Sequence, residues 1–428
     1  MSNTILSTIY KHTGSSIFKD ILKSLAMISN VAEEMTYANS RMISTIALQI
    51  GQKLGYKNQD LRDLFYAALL HDIGEIYVDH WLLTSSTDPQ VIERERSKQR
   101  EHTIYGSNIL AKIPTLQEAS RYVLFHHEAF NGKGYPYGLS SDKIPMQSQI
   151  IGISDLLYTN YLLLHKDIDQ AVSAIKMLRG TKFNPLVVDA LASIHESDRF
   201  WFITGISDLE LDIIQNFDLA ILIEYANIRE SGYFDELLDV YLSIIDIKHK
   251  YTRQHSHRVA QVSRLIAHHA KLPADVVSDI YYAGLLHDIG KVVVPQHVLN
   301  KPSDLSEEEY NLIKSHPEYS YQILSKVSIF ENIAKLARYH HEKFMGGGYP
   351  MNIKGDEIPV GSRIISIADA YDAITSNRPY TGQFDGNFAI KQLMRNPANM
   401  FDKDLLDVLV SIPVEELDKF TVNKRIEQ

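Results

Sequence analysis

Apolar residues recur at helical spacing along most of the chain. In DELLDVYLSIIDI (235–247) and QVSRLIAHHAKL (261–272) they fall three and four positions apart, which gathers them on one stripe of an α-helix. Sustained alternation bounded by turn residues, the mark of a half-buried strand, is scarce. Gly and Pro gather at GKGYPYG (132–138) and GGGYP (346–350). These predict loops, because consecutive glycines weaken a helix and Pro cannot occupy its interior. The predicted fold class is all-α. The most apolar stretch, LLYTNYLLL (156–164), is broken by Asn160 and falls far short of the roughly 20 residues that span a bilayer. Residues 1–20 lack a basic start, an apolar core and a small-residue cleavage site, so neither a membrane span nor a secretory signal is expected.

The pattern repeats. Residues 102, 126–127, 132–136 and 155 match 316, 340–341, 346–350 and 369 at a constant offset of 214. The HD pairs at 71–72 and 287–288 are offset by 216. Further on, TKFNPLVVDALASI (181–194) resembles NMFDKDLLDVLVSI (399–412). A duplicated domain follows, with units expected at 1–196 and 232–428. The segment between them, 197–231, has no counterpart in either half. It is neither Gly/Ser-rich nor charge-rich, so it reads as an ordered helical connector.

Composition narrows the function. Among 428 residues, 53 acidic against 43 basic side chains leave a formal charge of −10 without a long run of one sign. That argues against binding DNA, RNA polymers or an anionic membrane surface. The chain has no cysteine, which removes disulfides, thiolate nucleophiles and sulfur ligands together. Any metal must then be held by His and carboxylate, and a cytoplasmic location is expected.

The second half carries such a set. His255, His287, Asp288, His316, His340, His341 and Asp369 each lie in or beside an apolar helical run. That is a poor place for an imidazole or a charge unless it is paired or ligated. A lone helical histidine is ordinarily a hydrogen-bonded core or surface residue, and an HD pair alone says little more. Recurrence of the whole set, in order, in both halves is what singles it out. Donors of this kind suit divalent transition metals, and a carboxylate can bridge two of them. Paired metals in turn suit phosphodiester cleavage.

The succession HDIGK, HHE and GGYP, followed by ADAYDAITSNRPY, resembles the HD-GYP subfamily of HD-domain phosphohydrolases, which hydrolyse cyclic dinucleotides in bacteria. The likeness covers essentially all of 240–410 and, less faithfully, 30–195. It implies two tandem HD-type helical bundles with metals at their centres. It implies two divalent ions, Fe or Mn, one on His255, His287, Asp288 and Asp369 and the other on Asp288, His316, His340 and His341, with Asp288 bridging. By the same resemblance Asp288, Lys291 and Arg378 serve catalysis by a metal-bridging hydroxide, Lys291 and Arg378 holding phosphate oxygens. Gly347, Gly348, Tyr349, Pro350 and Arg363 complete the substrate site, the glycines letting backbone approach the ligand. Met345 and, in the first half, Asn131 stand where the subfamily usually has Asp, and no extra acidic ligand for a third metal lies near His255.

The first half departs further. Asn39 stands where the second half has His255, Glu75 where it has Lys291, Gln149 for Arg363 and Leu164 for Arg378, while His71, Asp72, His102, His126, His127 and Asp155 remain. This half is expected to be non-catalytic and kept for packing against the active half, for one metal or for regulation. The activity that the resemblance implies is hydrolysis of 3′3′-cyclic GMP-AMP or cyclic di-GMP to a linear 5′-phosphorylated dinucleotide, with the hybrid favoured because this chain's layout, an altered first copy and an intact second, resembles that of tandem members that prefer it. The expected partners are that substrate, the other domain of the same chain and, as an open option, a second copy. Two other readings stand beside it. A cyclic-dinucleotide sensor with little turnover is disfavoured by the complete set in the second half. A nucleotide phosphomonoesterase is disfavoured by GGGYP and NRPY.

Overall fold

A computed structural model describes residues 14–32, 37–164, 167–197, 233–248, 252–376, 386–395 and 400–421. The described residues are α-helical and 3₁₀-helical with one short π turn, and carry only two isolated β-bridges, Asn131 with Ser140 and Arg179 with Phe183. The all-α expectation holds. No helix among them is long and apolar enough to cross a membrane. The expected connector, 197–231, lies outside the described residues apart from its first position.

The chain divides into two compact units, one of Ile21–Val240 and one of Met1–Asp20 with Tyr241–Gln428. Two helices cross the boundaries, α1 (Gly14–Ala32) at Asp20 and α8 (Tyr233–Lys248) at Val240. Wholly within the first unit, the helices that matter are α2 (Tyr37–Lys53), α3 (Asn58–Leu69), α4 (Pro89–Leu110), α5 (Gln117–Leu124), α6 (Met146–Tyr158) and α7 (Pro185–Glu196). Wholly within the second are α9 (Thr252–His269), α10 (Ala274–Leu286), α11 (Glu307–Lys314), α12 (His316–Leu324), α13 (Glu331–Arg338), α14 (Val360–Thr375) and α15 (Lys403–Ser411).

Local chemistry sets several of these boundaries. Asp88 accepts from the backbone N–H of Gln90, and Pro89 occupies the first position of α4, where a missing N–H costs nothing. Ser306 and Glu309 form a reciprocal capping box at α11. Asn184 and Asp402, within the two related segments noted above, cap α7 and α15 in the same way.

The core of the second unit shows what the helical stripe buys in packing. Val259, Ala260, Val262, Ile266 and Ala267 of α9 are fully buried, as are Ile280, Ala283 and Leu286 of α10 and Ile364, Ile365, Ile367 and Ala368 of α14. Burial of each larger aliphatic side chain contributes about 1.5–3 kcal/mol. Helices α9 and α10 approach so closely that a Cβ on Gly284 would lie 2.9 Å from the Ala260 Cα. That approach brings His255 near the pair that follows α10.

Candidate metal centre

Five helical segments deliver the predicted ligands of the second unit to one place. His287 and Asp288 follow the end of α10, His316 opens α12, His340 and His341 follow α13, and His255 and Asp369 project from within α9 and α14. The last carbonyls of a helix lack intrahelical donors, and three of the histidines supply them. The Nδ1–H of His287 donates to Gly284 (2.8 Å), that of His316 to Ile313 (2.7 Å) and that of His340 to Ala337 (2.7 Å). A helix end is satisfied and, in the same stroke, each ring's tautomer is set with its Nε2 lone pair turned inward.

Those lone pairs converge. The Nε2 atoms of His316 and His340 are 3.3 Å apart, with neither carrying a proton for the other. Asp288 is 1% exposed; its Oδ1 lies 3.3 Å from His316 Nε2, and its Oδ2 lies 3.4 Å from His287 Nε2 and 3.8 Å from His255 Nε2. Asp288 Oδ1 accepts no hydrogen bond among the described residues. His255 Nε2 lies 3.4 Å from Asp369 Oδ1. Buried, facing lone pairs are unfavourable unless a cation lies between them. Two groups have ligand atoms within 4.8 Å of one another, His255 with His287 and Asp288, and His316 with His340 and His341. The donor set therefore fits divalent metal.

Electrostatics agree with the geometry. Burial alone would raise Asp288, but His287, Lys291 and His316 outweigh it and hold the carboxyl well below the usual range. Burial pulls His341 down to about 3 and His340 well below the ordinary imidazole value, and it lowers His316 too. Burial also acts against His287, but Asp288 reverses the sign and raises it. Lys291 reaches Asp288 Oδ2 at 2.6 Å with its side chain 24% exposed, so its ammonium stands between the buried carboxylate and solvent.

Other predicted residues have different surroundings from those expected. Tyr349 stacks on His341, ring centroids 4.8 Å apart, and so braces a ligand. A Cβ on Gly348 would fall 2.4 Å from the backbone nitrogen of Lys343, so its missing side chain admits the chain's own backbone, where a ligand was expected. Gly347 has φ +80° and open space around it, a left-handed turn position. Pro350 follows a cis peptide, as Pro136 does in the first unit. Arg363 pairs with Asp402 (2.7 Å) and Asp356 (3.1 Å), which makes it a clamp between the loop and the cap of α15. Arg378 lies outside the described residues.

Sequence reasoning missed four residues. Asp372, buried at 1%, accepts from His255 Nδ1 at 2.7 Å and from Nε and Nη2 of Arg258, one on each carboxylate oxygen. This is the carboxylate–histidine arrangement that orients a metal ligand and raises its basicity. Asp372 lies three residues after Asp369 on one helix, a spacing that puts both on one face and was available as a signal. Glu342 accepts from the Met351 N–H at 2.7 Å and ties the loop to the HHE turn. Ser320 donates to the His287 carbonyl (2.7 Å) and accepts from the Gly290 N–H (2.9 Å), joining the HD turn to α12.

The first unit keeps part of this scaffold. His71 and His126 donate to Ala68 (2.9 Å) and Val123 (2.6 Å), and Asp72 Oδ1 lies 3.3 Å from His102 Nε2 and 3.5 Å from His126 Nε2. Glu128 repeats the role of Glu342 by accepting from Tyr137. Gln149 bonds the Glu128 carbonyl and the Asn184 N–H, a neutral substitute for the Arg363 clamp. Where the second unit has Asp372 and Arg258, the first has the buried Tyr158 and the partly exposed Met42. The loss thus extends to the support of the first ligand.

A family model described as HD domain matches residues 23–187 and 239–405. Among curated proteins, the chain is 26% identical over 409 residues to 3′3′-cGAMP-specific phosphodiesterase 3 of Vibrio cholerae, covering 85% of this chain and 87% of that protein. It is also 26% identical over 390 residues to 3′3′-cGAMP-specific phosphodiesterase 1 of the same organism, covering 86% and 85%. A cyclic di-GMP phosphodiesterase of Thermotoga maritima is 30% identical over 191 residues, covering 44% of this chain and 52% of that one. Among solved structures, a cyclic GMP-AMP-specific phosphodiesterase of Vibrio cholerae superposes with a TM-score of 0.61 at 23% identity, covering 92% of this chain and 98% of that one.

Proposed function

Because this chain belongs to the HD-domain family, we propose that its second unit opens a cyclic dinucleotide by hydrolysis, with 3′3′-cyclic GMP-AMP the preferred substrate and cyclic di-GMP the alternative. The chain is a phosphodiesterase, and the product of the proposed reaction is a linear 5′-phosphorylated dinucleotide. The observation that carries this reading is the convergence of five imidazoles and a second carboxylate around a buried Asp288, with one lysine at its edge. The hybrid is preferred because the two relatives named for it match this chain over most of both lengths, whereas the Thermotoga relative matches 44% of it.

Two divalent ions, Fe or Mn, suit the donors His255, His287, Asp288 and Asp369 on one side and Asp288, His316, His340 and His341 on the other. When bound they supply hydroxide-strength water near neutral pH and withdraw charge from phosphoryl oxygens. The residues do the rest. Asp288 turns one carboxylate oxygen toward each group of histidines and so fixes the separation of the two sides. Asp372 holds His255 by its Nδ1, and Tyr349 holds His341 by its ring face, which keeps both from rotating out of line. Lys291, partly exposed beside Asp288, receives a non-bridging phosphate oxygen and stabilises the charge that grows on it. Arg378 is assigned the same task with a planar fork suited to phosphate. Water oxygen bonds to phosphorus, one P–O3′ bond breaks, and a proton ends on O3′. The residues 1–196 form the non-catalytic copy, 197–231 the connector and 232–428 the catalytic copy, working in the cytoplasm.

The test is product chromatography of the purified full chain with Mn(II), or anaerobically with Fe(II), against both cyclic dinucleotides and 5′-GMP. We expect linear dinucleotide from both, faster from the hybrid. Phosphate release from 5′-GMP with both cyclic substrates left intact would sink the reading.

A further inference from the structure

The first unit lacks the cation of the second and has an anion in its place, yet it has not been filled in with apolar side chains. Asp72, His102, His126 and His127 present ligand atoms that all lie within 4.8 Å of one another. His102 and His126 are 1% and 2% exposed. The Nδ1–H of His126 is donated to the Val123 carbonyl and that of His102 is shared between the Gln99 carbonyl and the Glu75 carboxylate, so their Nε2 lone pairs face each other 3.4 Å apart. His127 is held by its ring against Tyr135 with centroids 4.9 Å apart.

Glu75 changes what this pocket can accept. Its carboxylate is 6% exposed; Oε1 lies 3.1 Å from His102 Nδ1 and Oε2 lies 3.1 Å from His80 Nε2. No lysine or arginine among the described residues pairs with Asp72 or Glu75, and the neighbouring Arg94 and Lys98 are engaged by the buried Glu95 at 3.0 and 3.1 Å. Exchanging Lys291 for Glu75 makes the pocket two charges more negative than its counterpart. An incoming phosphate would be repelled, whereas a dication would be bound more firmly. A carboxylate behind a ligating imidazole also fixes its orientation and increases its basicity.

We infer that the first unit holds a single divalent transition-metal ion on Asp72, His102, His126 and His127, with Glu75 bracing His102 from behind, as a structural site closed to phosphate. Three imidazoles and one carboxylate in a compact set match the tetrahedral preference of Zn(II). The inference goes beyond the hydrolytic reading and does not depend on it. The competing occupant is a proton on His102, shared between Asp72 and Glu75, which would leave no room or need for metal.

Zinc titration and bound-metal counting on the full chain decide between them. His126→Ala should bind one ion fewer than the unsubstituted chain. Glu75→Gln should weaken one Zn(II) affinity by about 10–100-fold and leave hydrolysis by the second unit within about twofold. A folded His126→Ala chain with an unchanged metal count overturns the inference. So does an unchanged Zn(II) titration for Glu75→Gln, which also decides the matter if His126→Ala does not fold.

Discussion

Asp372 touches no expected substrate position, yet the orientation of His255 depends on it through a 2.7 Å contact with Nδ1. Asp372→Asn keeps the shape, removes the charge and leaves Arg258 without its partner. We expect about a 10–100-fold loss in metal affinity and hydrolysis with the helical spectrum retained; titration of metal into the purified variant checks this, and unchanged affinity would remove Asp372 from the account. The imidazoles make a second prediction. Burial holds His316, His340 and His341 below the ordinary value near 6.5. A lowered pKa means that the neutral, metal-binding form persists as pH falls through that value, so fewer protons compete for the lone pairs. Metal held by His316, His340 and His341 should survive dialysis from pH 7.5 down through 6.5, whereas the side that includes His287, whose imidazole Asp288 raises, should lose metal first as pH falls; earlier loss from the His316 side would contradict the burial argument. The ligands themselves are legible from sequence because each stands inside a short repeated phrase. The contacts of Arg363 and Gly348 are not legible for the opposite reason: their partners, Asp402 and the backbone at Lys343, lie outside any local phrase.

At the scale of elements, the recurring device is a histidine that caps the helix before it and points its other nitrogen inward. It requires the turn after α10 to lie hard against α12. A Cβ on Gly290 would come 2.0 Å from the His316 carbonyl oxygen and 2.5 Å from the Ser320 nitrogen, and a Cβ on Gly74 meets the His102 carbonyl at 1.9 Å. The last glycine of HDIG is thus a packing residue for the helix that carries the next ligand. Gly290→Ala should force that turn apart, lowering stability by about 1–3 kcal/mol and displacing His316. Gly347→Ala, with φ +80° and free space, should cost about 1 kcal/mol of backbone strain and spare the metal site. Thermal unfolding of the two variants side by side reads the difference, and equal losses would contradict it. Helix positions are plain in the 3.6-residue stripe. This close approach is not, because Gly in HDIG looks from sequence alone like any turn residue.

Over the whole molecule, the HD-domain pattern is written twice, at 23–187 and 239–405, with different residues at key positions. Both copies keep the HHE turn, the glutamate that ties the loop and the capping histidines. The second keeps Lys291 and the Asp372–Arg258 support, where the first has Glu75, Tyr158 and Met42. The duplication can be read from the offsets of 214 and 216, and its asymmetry from Asn39, Glu75, Gln149 and Leu164. The extent of the first copy's change cannot, since Tyr158 and Met42 acquire meaning only once Asp372 and Arg258 are seen together. The account therefore stands on one comparison, turnover of cyclic dinucleotide by the full chain carrying either Asp288→Ala or Asp72→Ala, each checked for helical content. It predicts that Asp288→Ala falls to background while Asp72→Ala keeps most of its rate. Abolished turnover in a folded Asp72→Ala chain, or turnover that survives Asp288→Ala, would contradict it.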